Sequence, residues 1–143
     1  MPAYPTFSTR VIGQAEKTLN AILGRELAGT GLTEPQWVIL TLAVSGGGAA
    51  DRDRFTSMVA DALKISEAEA EARVADMVTA QQLNITGSAV TVTGTAQQLH
   101  SRIRAAIAEI TQRLWGDLPA EDLATAGRVL AIITERANAE LAR

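Results

Sequence analysis

Several basic and hydroxyl side chains that can bind phosphate lie between residues 51 and 83. Guanidinium and ammonium groups neutralise nucleic-acid phosphates, and serine or threonine hydroxyls add neutral hydrogen bonds to the same oxygens. The candidate DNA-binding residues are Arg52, Arg54, Thr56, Ser57, Lys64, Ser66 and Arg73. This chemistry requires neighbouring elements that bring these side chains to one face of the chain.

The same stretch also carries the net negative charge of the chain. It holds seven acidic and four basic residues, so its net charge of −3 equals that of all 143 residues. Glu67 and Glu71 lie one helical turn apart and would repel phosphates, although a glutamate can accept a hydrogen bond from cytosine N4. This charge pattern predicts weak or strongly salt-sensitive binding to DNA.

Three short helices and a hairpin are predicted to position these residues. Apolar spacing and capping residues predict helices over residues 33–44, 51–63 and 66–82, with a glycine-rich loop over 45–50. Two β-branched runs that flank Gly87-Ser88 predict a short hairpin ending near Thr93. Three helices followed by a hairpin is the order of a winged helix-turn-helix.

The third of these helices would present its charged face to a DNA groove. Ser66 is a predicted N-cap, and Glu69 three residues later completes a capping-box pattern. Arg73 has two interpretations: an ion pair with Glu69 or Asp76 on a solvated face, or a contact with DNA. The predicted buried positions are Ala70, Val74, Met77 or Val78, and Gln81.

Long amphipathic helices are predicted on both sides of this region. They begin near Phe7, at Thr93 and near Leu118, and their inner faces are rich in alanine, which permits close helix approach. A lone chain would have little core on which to bury the terminal helices, so we expect a homodimer. The fold class is mostly α with a short β-hairpin wing.

Several function classes are excluded by the composition. The chain has no cysteine and one histidine, His100, so neither a thiolate metal site nor a His-based catalytic triad can be built in one chain. No apolar run approaches the ~20 residues of a membrane span, and the N-terminus lacks a signal-peptide pattern. We therefore expect a cytoplasmic non-enzyme without metal or cofactor. His100 is interpreted as a partly exposed helix residue.

Five segments, in the right order and spacing, resemble the MarR family of bacterial transcription regulators. Residues 32–40 fit the family pattern Leu-Thr-x-x-Gln-Trp-x-x-Leu, and residues 59–66 resemble its turn, Leu-Ala-x-x-Leu-x-Leu-Ser. Arg73 and Asp76 match the Arg-x-x-Asp of its recognition helix. Residues 92–99 resemble Leu-Thr-x-x-Gly-x-x-Leu with Ala96 in place of glycine, and residues 118–123 resemble Leu-Ser-x-Glu-Glu-Leu.

The resemblance implies one winged-helix domain over residues 1–143 that forms an intertwined homodimer through its N- and C-terminal helices. Residues 7–31 and 94–143 would be the dimerisation helices, and residues 32–93 would be the DNA-binding region. The implied function is transcriptional regulation by binding a palindromic duplex operator. A small apolar effector is a further expected partner, because in the family the helix that corresponds to that of Trp37 borders a ligand pocket. The side chains predicted to line such a pocket are Phe7, Trp37, Phe55 and Leu99. Trp37 is otherwise interpreted as a core residue.

Two departures from the family pattern support an alternative. The family's wing contains Asp-x-Arg, whereas residues 86–89 contain no basic side chain, and Met77 replaces a second arginine of the recognition helix. The alternative is a degenerate dimer of the same fold with weak or no DNA binding, acting as a protein-interaction or ligand-sensing module.

Overall fold

Six helices and three short strands make up the described part of the chain. The structure is a computed structural model that describes residues 3–46 and 50–143. The elements are α1 Thr9–Leu27, α2 Glu34–Ser45, β1 Ala50–Asp51, α3 Arg52–Leu63, α4 Glu67–Thr79, β2 Leu83–Thr86, β3 Ala89–Val92, α5 Gly94–Trp115 and α6 Ala120–Leu141. This is a winged helix-turn-helix architecture, as the sequence predicts. The chain divides into two compact units, Met1–Ile107 and Ala108–Arg143.

Side-chain caps start the short helices where the sequence predicts them. The Thr33 hydroxyl accepts from the Gln36 N–H while the Gln36 side chain accepts from the Thr33 N–H, which completes a capping box at the start of α2. Asp51 accepts from two N–H groups in the first turn of α3. Ser66 accepts from the Glu69 N–H at the start of α4. Each bond satisfies an amide that the helix itself cannot pair.

A three-stranded antiparallel sheet has the strand order β1-β3-β2, in which β1 precedes α3 and the other two strands follow α4. The hairpin is formed by β2 and β3, with Ile85 opposite Val90. Gly87 begins its turn at φ 63°, a conformation that glycine adopts without steric cost. The sequence did not predict β1, because two residues leave no alternation to detect. Of the predicted loop 45–50, residues 47–49 lie outside the described residues, while Ser45 ends α2 and Ala50 begins β1.

The core of the first unit joins α2, α3, α4, the hairpin and the first part of α5. Its completely buried side chains include Ile39 and Leu40 of α2, Phe55 of α3, Met77 of α4 and Leu83 of β2. Burial of such side chains contributes about 1.5–3 kcal/mol each. Because this core touches both helices of the helix-turn-helix, it sets the orientation of α4.

Two details of α4 differ from the sequence prediction. The helix ends at Thr79 rather than near Gln82, because Gln81 adopts φ 60° and reverses the chain before β2. The prediction that Gln81 is buried is wrong, since its side chain is exposed. The remaining predicted inner positions are correct: Ala70, Val74 and Met77 are buried, and Val78 is partly buried.

The second unit consists of the last turns of α5 and the whole of α6. The chain turns after Trp115, where the Leu118 N–H donates to the Trp115 carbonyl at 3.1 Å. No residue of α6 is buried. Large apolar side chains remain exposed in this unit: Leu114, Trp115, Leu118, Leu123, Leu130, Ile132 and Leu141.

Candidate nucleic-acid interface

A tight turn between α3 and α4 builds the candidate interface. Lys64 ends α3 in the left-handed conformation at φ 56°, and the Ile65 N–H donates back to the Ala60 carbonyl at 3.0 Å. Ser66 then caps α4 immediately. Because Val74 and the rest of the inner face of α4 are buried, its opposite face is turned to solvent.

The exposed face of α4 carries four acids and one base. Glu67, Glu69, Glu71, Arg73 and Asp76 are all solvent-exposed. Arg73 forms no ion pair within residues 3–46 and 50–143, so the pairing with Glu69 or Asp76 that one interpretation required is absent there. The guanidinium of Arg73 is therefore not engaged by another described side chain.

Three further candidate cations differ in their surroundings. The exposed Arg54 makes no ion pair with any described residue. Lys64 Nζ lies 3.1 Å from a carboxylate oxygen of Asp61. Arg52 Nη2 lies 3.7 Å from Glu71 Oε1 and so links α3 to α4.

The three candidate hydroxyl groups are not equivalent. The Thr56 hydroxyl donates to the Arg52 carbonyl at 2.9 Å, and the residue is only 7% exposed. Its proton could reach a phosphate only if that bond broke. Ser57 is exposed on the same helix. The Ser66 hydroxyl accepts from the Glu69 N–H at 3.1 Å, which leaves its own proton free to donate.

The wing is short and is held directly against α3. The Arg52 N–H donates to the Ser88 carbonyl at 2.6 Å, and Asp51 pairs with Ala89 in the sheet. The exposed tip is formed by Thr86, Gly87 and Ser88 and carries no charge. The hairpin therefore supplies no cation to the candidate interface.

The four residues predicted to line an effector pocket occupy different environments. Phe7 is 55% exposed, whereas Phe55 is completely buried in the core. Trp37 and Leu99 are partly buried and pack against that core. Trp37 and Leu99 are thus the two of the set that combine core contact with remaining exposure.

The prediction that His100 is partly exposed is wrong. Its side chain is 2% exposed, not partly exposed, and its ring stacks on Trp37 with the ring centroids 4.7 Å apart. The signal that would have placed it inward is its spacing of four from Ala96 and three from Ile103, which are both buried. His100 therefore belongs to the buried stripe of α5.

The protonation of His100 is disfavoured by its surroundings. Burial lowers the pKa of the imidazole below its ordinary value of 6.5, and the nearby Arg104 guanidinium lowers this pKa further. His100 Nε2 lies 3.2 Å from the Thr41 hydroxyl. The neutral ring thus pairs with a neutral partner between α2 and α5.

Neither a metal-binding cluster nor a membrane-spanning helix occurs in the described part of the chain. No three side chains among His, Cys, Asp and Glu gather closely enough there to hold a metal ion. None of its helices combines the length and hydropathy needed to cross a membrane.

Solved structures share this architecture over nearly the full chain. No family model matches the sequence, and no curated protein matches it. A MarR protein from Peptoclostridium difficile covers 98% of this chain and is itself covered to 97%, with a TM-score of 0.74 and 13% identity. Ligand-free NadR covers 93% of this chain and is covered to 98%, with a TM-score of 0.73 and 16% identity. At these identities the likeness establishes a shared fold.

A third solved structure of the same fold belongs to a protein that a small molecule regulates. Bordetella bronchiseptica BpsR, whose DNA binding is regulated by 6-hydroxynicotinic acid, covers 94% of this chain and is covered to 98%. Its TM-score is 0.69 and its identity to this chain is 19%. The chain therefore has the winged-helix fold found in MarR-family transcriptional regulators.

Proposed function

We propose that this chain, which has the fold of the MarR-family regulators, is a transcriptional regulator that binds a palindromic DNA operator as a homodimer. The observation that carries the proposal is the exposed Arg73 on α4, which has no ion-pair partner among the described residues. The opposite face of that helix is buried. In helix-turn-helix proteins the second helix enters the major groove, where such an arginine can contact a base or a phosphate.

We expect further phosphate contacts from other groups of the helix-turn-helix. Arg54 and Lys64 add positive charge on and after α3, and the Ser66 hydroxyl has a free proton at the start of α4. Phosphate contacts of this kind fix the register of a protein on the duplex. They are few and surrounded by acids, so the proposed binding is weak and strongly salt-dependent.

Homodimerisation is proposed from the exposure of the terminal helices. Leu130 on α6 is 44% exposed and Leu19 on α1 is 41% exposed, although both lie on apolar stripes. Contiguous exposed apolar surface often marks a site of contact with another chain. Two copies would also double the number of phosphate contacts and would match a palindromic operator.

A small apolar or aromatic effector is proposed as a further partner. The support from known proteins is the regulation of BpsR by 6-hydroxynicotinic acid. The support within this chain is the partly buried Trp37 stacked on His100, with Leu99 beside that histidine in sequence. These aromatic and apolar groups suit a flat ligand, and Phe7 and Phe55 remain predicted members of the pocket.

The alternative function is a ligand-sensing or protein-interaction dimer that no longer binds DNA. It is favoured by the four acids on the exposed face of α4 and by the uncharged wing tip. Both features oppose phosphate binding. A direct DNA-binding measurement separates the two functions.

The test uses duplex DNA from the promoter of the protein's own operon and a scrambled duplex of equal length. We expect the promoter duplex to bind more tightly at low salt, and Arg73→Ala to weaken that binding. Arg25→Ala is the matched control, because it removes an exposed arginine from α1, outside the helix-turn-helix. No binding at the lowest salt, or equal losses in both variants, would favour the alternative.

A further inference from the structure

Arg52 is held in place at three points. Its N–H donates to the Ser88 carbonyl of the wing, and its carbonyl accepts from the Thr56 hydroxyl. Its guanidinium reaches α4, where Nη2 lies 3.7 Å from Glu71 Oε1. The two hydrogen bonds fix the position of the Arg52 main chain, and the ion pair with Glu71 orients its guanidinium.

The guanidinium lies beside an open cleft between α3 and α4. The cleft has a volume of about 190 Å³ and is lined by Arg52, Asp53, Thr56, Ser57, Glu67 and Glu71. Three of these six residues are acids and one is a base. The cleft therefore holds its single cation against a carboxylate on the face that the proposed function turns toward DNA.

This ion pair does little for the stability of the fold. The Arg52 and Glu71 side chains are 43% and 64% exposed, and ion pairs between exposed groups contribute little to folding. Their separation of 3.7 Å is also longer than a charge-assisted hydrogen bond. We therefore expect the Arg52–Glu71 pair to affect binding at the interface rather than the stability of the fold.

We propose that Glu71 restrains DNA binding by holding the Arg52 guanidinium, so that a DNA phosphate must compete with the Glu71 carboxylate for the same cation. This inference rests on the proposed function and names a residue that sets its strength. Phosphates are common to every sequence, so the restraint lowers affinity for promoter and scrambled duplexes alike. Glu71 thus keeps the Arg52 guanidinium at the interface, but the guanidinium contacts DNA only when a phosphate displaces the Glu71 carboxylate.

The inference predicts that the effects of Arg52 and Glu71 are not additive. If Glu71 acts by holding Arg52, then removing its charge helps DNA binding most when Arg52 is present. If Glu71 acts only by repelling phosphates, then the gain is the same whether residue 52 is arginine or glutamine. A double-mutant cycle measures this difference directly.

The experiment measures affinity for the labelled promoter and scrambled duplexes at low salt, by fluorescence anisotropy, with the full-length protein. The variants are Arg52→Gln, Glu71→Gln and the double variant. Glu69→Gln is the matched control, since it removes an exposed charge from the same helix, and Glu69 has no ion pair among the described residues. Circular dichroism checks that each variant is folded.

We expect Glu71→Gln to tighten binding to both duplexes by roughly threefold to tenfold, because each subunit of a dimer releases one guanidinium. In the Arg52→Gln background the same change should give only the smaller gain of Glu69→Gln. Equal gains in both backgrounds, or no gain beyond that of Glu69→Gln, would overturn the restraint while leaving DNA binding intact. If no variant binds either duplex, the proposed function is rejected, and the restraint with it.

Discussion

The Thr41 hydroxyl lies 3.2 Å from His100 Nε2 and joins α2 to α5 across 59 positions of sequence. The same imidazole stacks on Trp37 with an interplanar angle of 17°. One buried polar ring is thus bonded to one residue of α2 and stacked on another. This contact connects the helix-turn-helix region to the first half of α5.

Removal of the Thr41 hydroxyl should destabilise the fold. Thr41→Val keeps the shape of the side chain but leaves a ring nitrogen of the buried His100 without its partner. An unsatisfied buried polar group costs about 1–3 kcal/mol. Urea denaturation at one fixed protein concentration should show this loss for Thr41→Val and a smaller one for Thr41→Ser, which keeps the hydroxyl. Equal losses in the two variants would mean that the hydrogen bond has no net effect.

The free energy of unfolding should depend on pH through His100. Its pKa is lowered in the folded state by burial and by Arg104, so the unfolded chain binds the proton more readily. The contribution of His100 to the free energy of unfolding should therefore rise as pH rises from the lowered pKa to the ordinary value of 6.5. Above that pH the contribution of His100 should be constant. Below the lowered pKa both states are protonated, and this contribution to stability is lost.

Because His100 is the only histidine, one variant isolates its effect. His100→Gln should remove the rise in stability in this pH window. The measurement is denaturant unfolding at several pH values. A rise of the same size in His100→Gln, or a fall with increasing pH in the wild-type protein, would contradict the assignment.

The proposed dimer should depend on the apolar face of α6. Leu130→Glu places a charge among exposed apolar side chains that we expect a second copy to cover. Thr125→Glu is the matched control, because it adds the same charge about 140° away around the helix. Sedimentation should show a dimer for the wild-type protein and the control, and a weakened dimer for Leu130→Glu. A monomeric wild-type protein, or equal weakening in both variants, would argue against this interface.

Much of the fold follows from local sequence signals. Thr33 and Ser66 start their helices at the predicted positions, because a hydroxyl cap acts over three residues. Gly87 marks the hairpin turn for a similarly local reason, since its φ of 63° favours glycine. The periodicity of Ala70, Val74 and Met77 predicts their burial.

The parts that were missed depend on contacts between distant residues. The strand β1 exists because Ala50 and Asp51 pair with the hairpin, and its two residues carry no pattern of their own. The prediction put Leu99 on the apolar stripe and therefore the following His100 outside it, whereas Trp37 and Thr41 accommodate the buried ring. The Arg52–Glu71 ion pair joins two helices, and no rule of spacing within one helix predicts it.

The measurement that tests the proposed DNA binding most directly is the dependence of promoter affinity on salt. A plot of log K against log salt concentration should be linear, with a slope of about −0.9 for each phosphate neutralised. Because a dimer carries two copies of Arg73, Arg73→Ala should weaken binding, and a phosphate contact by this arginine would also make the slope shallower by roughly 2. No detectable binding at low salt, or an affinity that Arg73→Ala leaves unchanged, would contradict the proposal.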